Sequence, residues 1–469
     1  MPLILGANSV SGYTVKNSLR FNSGSSDTLT RTFASTGNRQ IWTLSFWVKR
    51  SGALNARNSI INSLLDGNNY TEIFFAPDNT FQIDSYISSR QYRLITTQVF
   101  RDPSAWYHIV IALDTTQATS SNRVKMYVNG SQVTAFTTET YPTQNTNGYF
   151  NQNRLHTIGV NTFDTSGFLN GYLSEFNFID GQALTPSSFG ETNTASGIWI
   201  PKAYTGTYGT NGFFLKFLNS ASLGTDSSGN GNTWTVNNLT SVDQSTDTPT
   251  NNFATLNPLY SSSGTGFTNG NLDYKNTVAS WKSALSTIAV NKGKWYAEFK
   301  FIARDTASQD YGWVGICDVE QAETYSATWL GSAVTSGTGI AYGTQAGDIY
   351  GNNVSLATGT NPALNNIIGV AMDLDNNFVY FSLNGTFQNS GVPTSGASGT
   401  GGFSISTAVS KFYVFGTSSY DSSAFSASFG SPVFTIASGN TDGAGFGNFE
   451  YAVPSGYYSL NTKNLANFG

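Results

Sequence analysis

Residues 367–385 read IIGVAMDLDNNFVYFSLNG, and no other stretch limits the fold as tightly. Ile368, Val370, Met372 and Leu374 alternate on one face of a first strand. Val379, Phe381 and Leu383 do the same on a second, with Asp375-Asn376-Asn377 between them and Asn384-Gly385 closing the far end. A period of two marks strands with one buried face, and an Asx-rich turn joining them marks an antiparallel hairpin. Asp373 and Asp375 flank that turn and are assigned to holding it.

The rest of the chain follows the same pattern. Charged residues are 11 % of 469, well under the roughly 25 % of an ordinary soluble domain, while aromatics reach 14 %. Gly, Ser, Thr and Asn supply turns; Val, Ile, Phe and Tyr supply strands. No window carries a long amphipathic helix, so the sequence predicts an all-β chain of short strands. The net charge of −5 leaves no basic stripe to neutralise phosphates, which excludes nucleic acid as a partner. No apolar run approaches the ~18 residues of a membrane span, and no membrane insertion is expected. The opening MPLILGAN has no basic region, so synthesis in the cytoplasm without a signal peptide is expected. Cys317 is the sole cysteine, and an intrachain disulfide is excluded.

Four segments are expected: an N-terminal arm over 1–16, a sandwich over 17–191, a polar connector with short strands over 192–259, and a second sandwich over 260–469. The first sandwich carries WTLSFWVK at 42–49, WYHIVIALD at 106–114, VKMYVNG at 124–130 and GYLSEFNFIDGQALT at 171–185. In that order these segments resemble a laminin-G-like, concanavalin-type lectin domain. The second carries GKWYAEFKF at 293–301, YGWVGICD at 311–318, GDIYGN at 347–352 and the hairpin. That order resembles a SPRY domain, with a tail beyond Phe429 that the family does not account for. The fold implied is two antiparallel β-sandwiches, concanavalin/laminin-G-like and then SPRY-like. The combination also resembles tail, fibre or head-decoration proteins of tailed bacteriophages.

Lectin-type sandwiches also host glucanases, which need two carboxylates flanking the scissile bond. No Glu-x-Asp-x-Glu strand is present. His108 and His156 are the only histidines, and His108 is assigned to packing. No zinc set, Walker loop or serine elbow occurs, so the chain is read as a non-enzyme. No cofactor is required, and Ca2+ is the one candidate. Asp226, Asn230 and Asn232 on a Gly-kinked loop, with Asp66 and Asn68 as a weaker copy, offer the hard oxygens it prefers. Sugar binding calls for exposed rings beside amides and carboxylates. Trp42, Trp106, Trp295 and Trp313 sit in strands and are assigned to the core. The ligand candidates are the loop residues Tyr70, Tyr149, Phe150, Tyr325, Trp329, Asp348, Tyr350 and Asn352.

The expected function is a bacteriophage virion protein that binds host-surface glycan or protein as an adhesin. It would sit on the outer surface of the virion, contact other virion proteins and form a homo-oligomer, a trimer by analogy with fibres. The alternatives are a structural virion subunit whose loops grip neighbouring subunits, and a polysaccharide hydrolase.

Overall fold

A computed structural model describes residues 12–469 apart from 53, 163–164, 261–265, 305–310, 326, 334–338 and 406–410. It is nearly all strand, and it divides into two compact units, one of described residues up to Thr250 and one running from Asn251 to Gly469. The expected all-β pair of antiparallel sandwiches is what forms. No helix among the described residues is long and apolar enough to cross a membrane.

In the first unit, two sheets of eight strands each, counted among the described residues, face one another. At the centre of one sheet, Ile41–Arg50 lies between Trp106–Asp114 and Gly171–Asp180. The alternation read from the sequence sets the packing: Trp42, Leu44, Phe46 and Val48 are fully buried between the sheets. The facing sheet runs through Ser89–Val99, Thr80–Ile87, Asn69–Phe75 and Asn58–Asp66, and contributes Ile61, Ile73, Phe75, Phe81, Ile83 and Leu94 to the same core.

Residues 192–250, read from the sequence as a connector, are part of this sandwich. Phe213–Leu215 pairs with Gly171–Asp180, Thr235–Asn237 with Thr28–Thr32, and Gln244–Ser245 with Ser18–Phe21. The short strands expected there do form, but segments of two or three residues show no period that would tell which sheet they join. Residues 251–259 pair instead inside the second unit, where Leu256 bridges to Ser286. Of the N-terminal arm, residues 1–11 lie outside the described residues. Beyond them, Val15 exchanges hydrogen bonds with the Thr250 hydroxyl, and the Tyr13 hydroxyl donates to Glu175 at 2.6 Å. Glu175 sits at a β-bulge with φ of 49°, a left-handed conformation that costs a glutamate energy.

A buried ion pair locks the end of the first unit onto its sheet. Lys49 Nζ lies 2.8 Å from Asp247 Oδ2, each side chain 1 % exposed, and Trp106 Nε1 donates to the other oxygen at 3.1 Å. Both charges keep close partners, as their removal from water requires.

In the second unit, Ile367–Asp373 and Phe378–Leu383 form the hairpin, with Ile368 opposite Leu383 and Val370 opposite Phe381. Every residue assigned to its apolar face is in the core. Asp373 Oδ1 accepts from the amides of Asp375 and Asn376, so Asp373 holds the turn, whereas the Asp375 carboxylate accepts from the Gly293 amide outside it. Among the described residues this hairpin belongs to a nine-stranded sheet packed on a six-stranded one. The tail beyond Phe429 covers the other face of the nine-stranded sheet. Phe449 and Tyr457 pack there on Tyr296, Ala371 and Tyr380, and Tyr458–Ser459 adds a parallel strand to Lys294–Ala303. Glu298, fully buried, accepts from the amides of Glu450 and Tyr451 at 2.9 and 2.8 Å and from the Tyr296 hydroxyl. The tail ends in the helix Thr462–Phe468, capped by the Asn461 side chain.

Two measurements test these anchors. Asp247→Ala strands the Lys49 ammonium in a dry site and should cost about 3–5 kcal/mol in denaturant unfolding, whereas Lys49→Met with Asp247→Leu should recover most of the loss. Burial pushes the Glu298 carboxyl up to about 7, its three donors notwithstanding, and burial likewise raises Glu175 to about 7. A raised folded-state value gives stability that is complete below the usual 4.5 and lost as pH rises through 7. Thermal midpoints should therefore fall between pH 5 and pH 8, and Glu298→Gln with Glu175→Gln should flatten that fall.

Candidate functional site

The six-stranded sheet of the second unit turns Val314, Ile316, Ile340, Tyr342, Ile349 and Phe415 toward the core. Its other face runs across neighbouring strands as Ser283, Ser418, Trp313 and Gly343, all in direct register. The Trp313 ring needs Gly343 beside it, because a Cβ there would come within 2.7 Å of the ring. Trp329 stacks on Trp313, with centroids 4.4 Å apart and planes at 26°, and Tyr350 stands edge-on to both at 5.5 and 5.6 Å. Trp281 extends the row: it lies 6.3 Å from Trp329, 5.9 Å from Tyr311 and 5.4 Å from Tyr420. All six rings are half-buried. They form a continuous aromatic shelf.

The shelf is held from beneath. The Ser283 hydroxyl donates to the Thr328 carbonyl, and Ser418 Oγ accepts from the Leu330 amide at 2.8 Å. The Asn353 amide donates to the Gly331 carbonyl. These bonds clamp both sides of Trp329, so its ring is presented on a fixed backbone. The turn beside Tyr350 exposes Asn352 and Asn353, and Asp348 Oδ1 accepts from the Thr358 hydroxyl at 2.8 Å.

Of the ligand candidates read from the sequence, the structure brings together Trp329, Asp348, Tyr350 and Asn352. Tyr325 is a correction: it is fully buried among Leu285, Cys317, Ala322, Leu330, Ala341 and Val414, because the segment after Glu320 folds back over the sheet. Tyr149 and Phe150 are corrected too. Phe150 packs against Trp42 and Phe178, and Tyr149 is 5 % exposed. Tyr70 is in the other unit, half-buried, stacked on Tyr86 at 6.0 Å with its hydroxyl on Asp84. Trp42 and Trp295 are core as expected, but Trp106 and Trp313 are half-buried. Trp281, Tyr311, Trp313 and Tyr420 were missed as site residues. The spacing of Tyr311 and Trp313, two apart on one strand face, was the available signal.

The residues proposed for calcium do not fit it. Asp226 Oδ1 accepts from the amides of Phe214 and Ser228, and Oδ2 from the Ser228 hydroxyl and the Asn232 amide. Asn230 and Asn232 point their NH2 groups at the carbonyls of Gly209, Thr210 and Gly212, and Arg31 donates to Asn232 Oδ1 at 2.6 Å. A cation there would displace four donors and face a guanidinium. Asp66 likewise accepts from the Asn68 amide and the Asn69 side chain, which makes an ordinary Asx turn.

His108 is a satisfied packing residue. Nδ1 accepts from Trp199 Nε1 at 2.9 Å, so Nε2 carries the proton toward Ser45 Oγ, and burial pushes its pKa down to about 3. One carboxylate pair is set by strand register and not by sequence spacing, because it spans two strands. Glu72 and Asp84 are direct partners across Asn69–Phe75 and Thr80–Ile87, which places their Cβ atoms about 5 Å apart. Arg57 and Ser59 hold Glu72, and Arg90 and Arg93 hold Asp84. Burial raises the Glu72 carboxyl, with Arg57 opposing.

The stacked tryptophans should give an exciton couplet in the ultraviolet circular dichroism spectrum. Trp313→Phe and Trp329→Phe should each abolish it, and Gly343→Val should do so by displacing the Trp313 ring.

Residues 22–188 match the family described as the concanavalin A-like lectin/glucanases superfamily, of the laminin G type. Among curated proteins none matches the chain. Solved structures similar to it include domains LG4-5 of the mouse laminin alpha1 chain, at 9 % identity over 87 % of this chain and 84 % of that one, with a TM-score of 0.29. The SPRY domain of human HERC1 is 11 % identical over 33 % of this chain and 87 % of that one, with a TM-score of 0.25. Domain 4 of AbnA, an extracellular arabinanase of Geobacillus stearothermophilus solved with arabinotriose, is 23 % identical over 33 % of this chain and 66 % of that one, with a TM-score of 0.24. At such TM-scores none of these structures bears on function. The first unit thus contains a laminin-G-like, concanavalin A-like sandwich of lectin/glucanase type.

Proposed function

We propose that this protein is a non-enzymatic glycan-binding module, and that the aromatic shelf of its second unit is where sugar rings stack. The observation that carries this reading is the row of six half-exposed rings, two of them tryptophans in face contact, on a backbone fixed by side-chain hydrogen bonds. Rings pack on the apolar faces of sugars, and the neighbouring Asn352, Asn353 and tyrosine hydroxyls supply polar groups that set orientation. The setting we propose is the outer surface of a bacteriophage virion, where an oligomer would present the shelf to host-cell glycans as an adhesin. The order of sequence motifs supports that setting. If the protein is instead a structural virion subunit, the shelf becomes a contact between neighbouring chains.

The cross-strand pair Glu72 and Asp84 favours one other reading, a polysaccharide hydrolase. Their arginine partners count against it, since a general acid needs a proton it can give up and a nucleophile needs a free oxygen.

Binding to host-type surface polysaccharide decides among these. Trp329→Ala and Tyr350→Ala should each weaken binding by about fivefold, in line with ~1 kcal/mol per lost ring contact, and leave the thermal midpoint of the first unit unchanged. Saturable binding unaffected by both substitutions would sink the shelf as the site. Reducing-end release from the same polysaccharide should stay at background; release abolished by Glu72→Gln would establish the hydrolase instead.

A further inference from the structure

The tail beyond Phe429 builds a pocket that the SPRY-like core would lack. It has a volume of about 610 Å³ and is lined by Lys294, Asp375, Thr394, Ser455, Tyr458 and Phe468, with Gly293 and Gly456. It opens at the turn end of the hairpin, where the tail crosses the nine-stranded sheet, whereas the shelf lies on the outer face of the six-stranded sheet.

Four polar lining groups have hydrogen-bonding capacity to spare. Lys294 Nζ gives one of its three donors to Asp373 at 2.7 Å. Asp375 Oδ1 accepts from the Gly293 amide at 2.8 Å, which fixes the carboxylate and leaves Oδ2 without a donor among the described residues. The hydroxyls of Thr394 and Ser455 are exposed and make no hydrogen bond among the described residues. Tyr458 and Phe468 are stacked face to face, 3.6 Å apart with planes at 6°, which gives the pocket a rigid aromatic wall. Gly293, with φ of 82°, permits the helix end to come this close, since a Cβ there would meet the Phe468 carbonyl at 2.5 Å.

Charge narrows the ligand. One ammonium stands against two carboxylates, Asp373 and Asp375, so there is no excess positive charge to hold a phosphate or a carboxylate. The ammonium in turn repels a metal cation. Donors, acceptors and an aromatic wall together suit a neutral molecule with several adjacent hydroxyls.

We propose that this pocket is a second saccharide site, one that takes the neutral terminus of a glycan, one or two hexose or N-acetylhexosamine units long. It rests on the chemistry of the pocket and does not require the shelf to bind.

Saturation-transfer NMR on the full chain tests it, with glucose, galactose, N-acetylglucosamine and their disaccharides as probes. Four proteins are compared: the wild type, the shelf variant Trp329→Ala/Tyr350→Ala, the plugged variant Ser455→Trp, and the combination. Ser455 is exposed, so the indole fills the pocket without opening the core. The expected result is that at least one saccharide still receives saturation in the shelf variant, and that adding Ser455→Trp cuts that signal at least fivefold. Asp375→Asn in the shelf background should weaken the same saccharide. A shelf-variant signal unchanged by Ser455→Trp, or no signal in the shelf variant, overturns the pocket while leaving the shelf intact. A wild-type signal removed by Ser455→Trp and untouched by the shelf substitutions upholds the pocket and overturns the shelf. Silence from every probe in the wild type overturns both.

Discussion

A β-sheet has two faces, and in a sandwich only one of them meets the core. The other must be polar or covered, and a chain with 11 % charged residues has few polar side chains strong enough to leave it bare. This protein covers it. In the first unit, the segment after Asp180 returns over the sheet, so that Phe189, Tyr204 and Tyr208 pack on Val110, Ala112 and Ile179. In the second, Val319, Ala322, Tyr325 and Leu330 roof the six-stranded sheet, and the tail roofs the nine-stranded one with Phe449 and Tyr457. Most of the buried aromatic rings fill the two inter-sheet cores, and a smaller share supplies this second layer of packing. Both candidate binding features arise at its margins: the shelf beside Leu330, where the roof over the six-stranded sheet gives way to the half-buried Trp329, and the pocket beside Phe468 of the tail.

That constraint also decides what could be read from sequence. Where one face is core and the alternation is long, as in 42–48 and 367–385, the residues declare their own packing. Where both faces are apolar, the period identifies the strand without saying which side is inside. Trp313 was assigned to the core for that reason, although Val314 and Ile316 hold the core positions and Trp313 faces the roof. Tyr149, Phe150 and Tyr325 failed in the opposite sense. Each lies in a stretch without alternation, the usual mark of a surface loop, and each is buried because that stretch folds onto the sandwich. Glu72 and Asp84 were invisible as a pair, since only the register of two strands brings them together.

The Asn- and Gly-rich loops carry a related lesson. Most of the described non-glycine residues in left-handed conformations are asparagines, among them Asn129, Asn352, Asn353, Asn377 and Asn384 at hairpin ends. Asparagine tolerates that region because its short amide can bond locally. A protein of many short strands needs many such turns, so its asparagine content follows from topology. The Asp-Ser-Ser-Gly-Asn-Gly-Asn loop belongs to this class: the Asp226 carboxylate and the Asn230 and Asn232 amide groups hold 209–214 against 226–232. Composition that resembles a cation or sugar site can thus be turn chemistry, and the rings are the better guide to a ligand.

Two shallow saccharide sites on one unit would have a consequence that neither has alone. A single aromatic contact with a sugar supplies on the order of 1 kcal/mol, too little for lasting attachment. A glycan held at the shelf and long enough to span the two sites raises the local concentration of its own terminus at the pocket, and linked sites can exceed either affinity by ~10²–10⁴. The gain depends on rigid placement, since a site free to reorient loses much of it to entropy. This protein provides that rigidity by the same means at both places. Backbone bonds to Ser418 and Gly331 fix Trp329, and the Gly293 amide fixes Asp375. The roofing segments that shield the sheets from water are therefore the same ones that hold the binding groups still.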